Sequence, residues 1–114
     1  MHGLKELFQI IDKECQQKKC HRAVIVGHNA WFDQHFVNAA ARRCKMLSHN
    51  PFHRFTSLDT ATLSALVYGH TVLPKILELA GIPFKAEEAH SAIYDAEKTA
   101  ALFCAMVNAW DEKK

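Results

Sequence analysis

His90-Ser91-Ala92-Ile93-Tyr94-Asp95, continued by Ala96-Glu97-Lys98-Thr99-Ala100-Ala101-Leu102-Phe103, reads as a loop histidine followed by the opening of a long helix. Ser91 suits the N-cap, where its hydroxyl can accept from a free amide of the first turn. The helix is expected to run to about Trp110, with Lys113 and Lys114 beyond its far end. At about 100° per residue, Ala92, Asp95, Thr99, Phe103, Met106 and Trp110 share one face, with Leu102 at its edge. Glu97, Lys98 and Asn108 point the other way. Asp95 therefore falls inside the apolar stripe, one turn into the helix. An unpaired carboxylate buried there costs several kcal/mol, so a cation, a set of backbone N–H donors or a metal must compensate it.

A second stretch repeats the pattern. Ala23-Val24-Ile25-Val26, bounded by Gly27, reads as a short buried strand. His28-Asn29-Ala30-Trp31-Phe32-Asp33 follows it, with Asn29 placed to cap the next helix. On that helix Asp33 shares a face with Phe36, Val37, Ala40, Cys44 and Leu47. Two separate helices thus each aim a carboxylate inward near an N-terminal end, an expensive arrangement unless both meet a bound cation.

Working outward, Leu4 to about Gln17 has the period of an amphipathic helix, and Ala30 to about Met46 forms the second helix. Leu47–Phe55 is expected to be a loop, with Asn50-Pro51 as its turn signal. Thr56–Asp59 reads as a short strand, and Thr60–Tyr68 as a helix closed by Gly69. Thr71 is expected to cap a further helix that tolerates Pro74 in its first turn and stops at Gly81 and Pro83. Pro83–Ala89 is a loop. Strands alternating with helices imply an α/β fold with a parallel sheet, although two strands are too few for such a sheet to stand alone.

The 114 residues suit one small domain, and 49% hydrophobic with 23% charged residues excludes a disordered chain. A net charge of +2 hides an asymmetry: residues 1–54 carry nine Lys/Arg against four Asp/Glu, and residues 55–114 five against eight. The basic half fits either a polyanion partner, through Lys18, Lys19 and Arg22 among others, or ordinary solvated faces. Cys15, Cys20, Cys44 and Cys104 contain no C-x-x-C pair, and with no secretory signal they read as reduced thiols in a cytoplasmic protein. No apolar run approaches the ~20 residues of a membrane span. A zinc site from Cys15, Cys20, His49 and His53 is disfavoured, because the two pairs lie far apart and Asn50-Pro51 breaks any helix joining the histidines.

His90-Ser91-Ala92-Ile93-Tyr94-Asp95 resembles the H-x-A-x-x-D third motif of the DEDD exonuclease superfamily, histidine subtype, and His28-Asn29-Ala30-Trp31-Phe32-Asp33 resembles its second motif, H-N-x-x-F-D. Asn50-Pro51-Phe52-His53-Arg54-Phe55, Leu58-Asp59-Thr60-Ala61 and Thr71-Val72-Leu73 place the resemblance with the ribonuclease T group. It runs from about Leu4 to Trp110. The family's first motif, D-x-E on a strand, has no counterpart. Asp12-Lys13-Glu14 lies in a helical pattern, where residues i and i+2 diverge.

The resemblance therefore implies the C-terminal portion of a single 3′–5′ exonuclease domain over residues 1–114, a partial ribonuclease-H-like fold without its N-terminal strands. It implies an exoribonuclease trimming 3′ ends of RNA such as tRNA, or of single-stranded DNA, and inactive in this form alone. Asp33 and Asp95 would be metal ligands in a site that holds two Mg²⁺ ions when complete, and His90 would take the proton from the attacking water. His28 and Asn29 would shape the strand-to-helix turn, and Asp59 would serve either as a helix cap or in the active site. Phe32 and Phe55 would stack on terminal bases or, read as isolated aromatics, belong to the core. A homodimer is implied as well. The alternative is a non-catalytic RNA-binding or dimerisation module built from the same residues.

Overall fold

The computed structural model describes residues 2–85, 87 and 91–113. Its elements are α1 (His2–Gln17), β1 (Ala23–Gly27), α2 (Ala30–Arg43), a short 3₁₀ turn (Leu47–His49), β2 (Phe52–Asp59), α3 (Thr60–Tyr68), α4 (Leu73–Ala80) and α5 (Ala92–Lys113). β1 and β2 form a two-stranded sheet. The Ala23 N–H donates to the Pro51 carbonyl at one end, and the Asn29 N–H to the Asp59 carboxylate at the other. Residue numbers rise together along the pair, so the strands run parallel, as expected for an α/β chain. No helix among the described residues is long and apolar enough to cross a membrane.

Contacts divide the chain into two units, residues 1–25 with 30–58, and residues 26–29 with 59–114. In the first unit, Phe8, Ile25 and Ala41 are buried. The packed face of α2 runs through Gln34, Val37, Asn38 and Ala41, a helical period, and continues to Cys44 just beyond the helix. Gln34 and Asn38 belong on it because they satisfy polar groups there. Gln34 Nε2 donates to the carbonyls of His53 and Arg54 at 3.1 and 2.9 Å, and Asn50 Nδ2 donates to Asn38 Oδ1 at 3.0 Å. Of the stripe expected from Asp33, Phe36, Val37, Ala40, Cys44 and Leu47, the last four are half-buried, whereas Asp33 is exposed and Phe36 is 64% exposed.

In the second unit α3, α4 and α5 pack on one another. Ile76, Leu77 and Leu102 are fully buried at the centre, with Tyr68, Leu73, Ile82, Phe84 and Met106 around them. Burying each such aliphatic side chain contributes on the order of 1.5–3 kcal/mol. Gly81, at φ 76°, ends α4 in a left-handed conformation that glycine adopts without strain.

Several boundaries differ from the sequence reading. β2 begins at Phe52, inside the expected loop, because the Pro51 carbonyl already pairs with Ala23. α2 stops at Arg43, three residues early, as Lys45 turns into a left-handed conformation at φ 55°. β1 is not buried on both faces: burial alternates along it, with Ile25 buried and Val24 and Val26 each 37% exposed. Thr71 does not cap α4. Val72 holds that position without a side-chain bond, and the Thr71 carbonyl serves another residue. α5 continues through Lys113.

Candidate active-site elements

The second unit gathers the end of β1 and the start of α3 into one hydrogen-bonded turn. Asn29 adopts φ 62°, which an Asn tolerates better than most residues, and this aims its N–H at Asp59 Oδ1, 2.9 Å away. The same oxygen accepts from the Ala61 N–H at 2.9 Å, so Asp59 caps α3 and ties the β1 turn to it. His28 completes the knot. Its Nε2 lies 2.6 Å from the Thr71 carbonyl, which can only accept, so Nε2 carries a proton. Its Nδ1 meets the buried Thr60 hydroxyl at 2.8 Å, and that hydroxyl also lies 3.4 Å from the Gly27 carbonyl. With both ring nitrogens engaged, His28 positions the turn. Thr60 and Thr71 were not identified as site residues from the sequence. Their signal is only their place at helix starts, since one acts through a hydroxyl and the other through a carbonyl.

Asp95 lies in the first turn of α5. Ser91 Oγ accepts from the Tyr94 N–H at 3.3 Å, the N-cap geometry expected of it, and the Ser91 carbonyl accepts from the Asp95 N–H at 3.0 Å. Thr99 turns its hydroxyl back to the Asp95 carbonyl at 2.8 Å. The Asp95 carboxylate is left half-solved: Oδ1 is buried and has no hydrogen-bond partner among the described residues. An orphaned acceptor of this kind costs roughly 1–3 kcal/mol, and a hard cation is the partner that best fits a carboxylate oxygen. His90, the expected general base, lies outside the described residues.

In the first unit Asp33 stands exposed in the opening turn of α2, where it takes part in an interaction of its own. Among the described residues, no three of His, Cys, Asp and Glu gather closely enough to hold a metal ion. The zinc grouping of Cys15, Cys20, His49 and His53 is thus not assembled. Carboxylates such as those of Asp33 and Asp95 are oxygen donors of the kind that Mg²⁺ takes.

The first unit also carries an exposed aromatic and basic surface. Phe32 is 62% exposed and Phe55 85%, so neither is core. Trp31, which the helical period points away from the apolar stripe of α2, is exposed and meets Phe32 edge to face at 6.0 Å. A cleft of about 260 Å³ is lined by Trp31, Gln34, His35, Asn38, Arg54 and Phe55. A larger cleft of about 630 Å³ adds Arg22, Asn50 and His53 to Arg54 and Phe55. His53 Nδ1 accepts from the N–H groups of Phe55 and Thr56 at 3.2 and 3.0 Å, which fixes the backbone from which Phe55 projects. Lys18 and Lys19 lie exposed in the turn after α1.

Comparison with known proteins follows the same lines. The chain is 59% identical over 110 residues to "Ribonuclease T" of Marinobacter nauticus, covering 96% of this chain and 49% of that protein. It is 58% identical over 110 residues to "Ribonuclease T" of Hahella chejuensis, covering 96% and 50%. Against the protein of the same name in Vibrio cholerae the identity is 54% over 109 residues, covering 96% and 48%. The chain thus spans about half the length of the curated relatives it matches, and its parallel strands and flanking helices fit part of a ribonuclease-H-like fold. The family model described as "Exonuclease" matches residues 5–103, nearly the whole chain, and the chain belongs to that exonuclease family.

Proposed function

We propose that this chain supplies part of a 3′–5′ exoribonuclease of the ribonuclease T type, as the C-terminal portion of a single exonuclease domain that works in the cytoplasm as a homodimer. The observation that carries the reading is the buried Asp95 Oδ1, without a hydrogen-bond partner among the described residues, at the aspartate of an H-x-A-x-x-D sequence. Asp33 and Asp95 would each contribute a carboxylate to the Mg²⁺ ligands, the rest coming from the unmatched half of the relatives. Bound Mg²⁺ would stabilise the attacking and leaving oxygens of the phosphodiester.

The chain's own residues divide the remaining work. His90 takes the proton of the attacking water, a task for which an imidazole is suited near neutrality. Phe32, Phe55 and Trp31 offer faces on which the last bases of a single strand stack, worth about 1–3 kcal/mol per base. Arg22 and Arg54, with Lys18 and Lys19, attract the phosphates of an RNA 3′ end such as that of tRNA. His28, Asn29 and Asp59 hold the β1 turn still while this happens. The same aromatic and basic surface supports a second reading, an RNA-binding module without hydrolysis.

Joining this chain to the unmatched half of a ribonuclease T relative separates the two. Mg²⁺-dependent shortening of a labelled RNA from its 3′ end is expected, falling by orders of magnitude in Asp95→Asn and by about 10²–10⁴-fold in His90→Ala. Full activity in Asp95→Asn would overturn the ligand assignment, and RNA binding with no shortening would favour the binding module.

A further inference from the structure

Three helices end with the same pair of backbone bonds. After α1 the Cys20 N–H donates to the Cys15 carbonyl at 2.8 Å and the Lys19 N–H to the Gln16 carbonyl at 3.2 Å, with Lys19 at φ 56°. After α2 the donors are Met46 and Lys45, to Ala41 and Arg42, and after α4 they are Ile82 and Gly81, to Leu77 and Glu78. This is the Schellman closure. It brings a residue of the last helical turn against the residue that follows the left-handed position, usually in an apolar contact. The pair is Leu77 and Ile82 after α4, and Ala41 and Met46 after α2. After α1 it is Cys15 and Cys20, both free thiols.

Covalent geometry turns that contact into a bound on distance. With the Cys20 N–H 2.8 Å from the Cys15 carbonyl oxygen, the two Cα atoms stand no more than about 6.7 Å apart. Disulfides bridge Cα separations of roughly 4.4–6.8 Å. Both cysteines line one cleft of about 260 Å³, together with Ile10, Lys18 and Arg22. Cys20 is exposed, its thiol 3.6 Å from the Lys18 carbonyl, and Cys15 is half-buried. No part of the nuclease reading uses either sulfur.

We propose that Cys15 and Cys20 form a reversible redox site, oxidised to an intramolecular disulfide by a small anionic disulfide of the glutathione class. Cys20, as thiolate, attacks one sulfur of the oxidant; the S–S bond breaks and one glutathione thiolate leaves and takes up a proton. Cys15, having lost its own proton, attacks Cys20 Sγ and expels the second glutathione. Two protein thiols are oxidised and one glutathione disulfide is reduced to two glutathione thiols. Lys18 and Arg22 outnumber Glu14 in the cleft lining, a net positive charge that favours an anionic reagent. The product ring closes across the Lys18-Lys19 turn and fixes it in the conformation it already holds.

The test uses the chain's own control, Cys104, which is exposed on α5. The protein is equilibrated in glutathione buffers of graded oxidised-to-reduced ratio, alkylated and digested with trypsin. Trypsin cuts after Lys18 and Lys19, so a Cys15–Cys20 bond leaves residues 14–18 joined to residues 20–22 at a mass lower by two hydrogens. We expect this joined species to outweigh glutathionylated Cys104 at least tenfold at the same ratio, since closing a short ring is intramolecular. Dithiothreitol should release it, and in Cys15→Ser and Cys15→Ala the reaction should stop at glutathionylated Cys20. Glutathionylated Cys20 beside freely alkylated Cys15 in the unmutated chain, or a joined species no more abundant than modified Cys104, would overturn the proposal.

Discussion

The opening turns of α2 and α5 look alike as sequence and differ as structure. Each places an aspartate three residues into its helix, among apolar neighbours. In α5 the buried residues Thr99 and Leu102 and the half-buried Phe103 and Met106 surround the angular position of Asp95, and its Oδ1 is buried. In α2 Asp33 sits about 80° from the centre of the packed face, which runs through Gln34 and Ala41, and it is exposed. The difference teaches that a helical apolar stripe read from sequence has an angular error. Polar residues such as Gln34 can own the packed face when backbone carbonyls await them.

The largest test of this contrast is truncation on each face. Leu102→Ala should lose about 2–5 kcal/mol, because Leu102 is fully buried beside Ile76 and Leu77. Phe36→Ala, which removes a bigger side chain, should change stability by less than about 0.5 kcal/mol, since it is 64% exposed. Urea unfolding of both variants measures the gap, and a costly Phe36→Ala would mean that the α2 face is covered in solution.

A smaller effect separates the two aspartates. Without divalent metal, Asp95→Asn should raise stability by about 1 kcal/mol, since it removes a charge whose oxygen lacks a partner among the described residues and adds an amide donor. Asp33→Asn should stay within about 0.5 kcal/mol of the unmutated chain. Thermal melts in chelator would read both shifts. Destabilisation by Asp95→Asn would show that the orphaned oxygen has found a partner.

The smallest effect concerns the helix ends. Lys19 and Lys45 occupy the left-handed position that Gly81 fills without strain. Lys19→Gly and Lys45→Gly should each stabilise by about 0.5–1 kcal/mol, the relief of strain exceeding the entropy lost. A neutral or negative result in melts would mean that the lysine side chains contribute contacts that glycine lacks.

Much of the local structure was legible in the chain. α1 and α5 follow from period, β1 from an apolar run bounded by Gly27, the end of α3 from Gly69, the start of α5 from the capping chemistry of Ser91, and the stop of α4 from Gly81 and Pro83. The two H-x-A-x-x-D-like stretches pointed to the exonuclease family. These signals are readable because they depend on neighbours within a few residues. What only the tertiary structure decided depends on partners far along the chain. β2 starts at Phe52 because Pro51 meets Ala23. Asp59 is a clasp because Asn29 takes a left-handed turn. His28 is a positioning residue because Thr60 and the Thr71 carbonyl occupy both its nitrogens. Asp33 and Asp95 received different environments from similar sequence, because burial is set by what the fold packs against a helix face, and that information lies outside the helix.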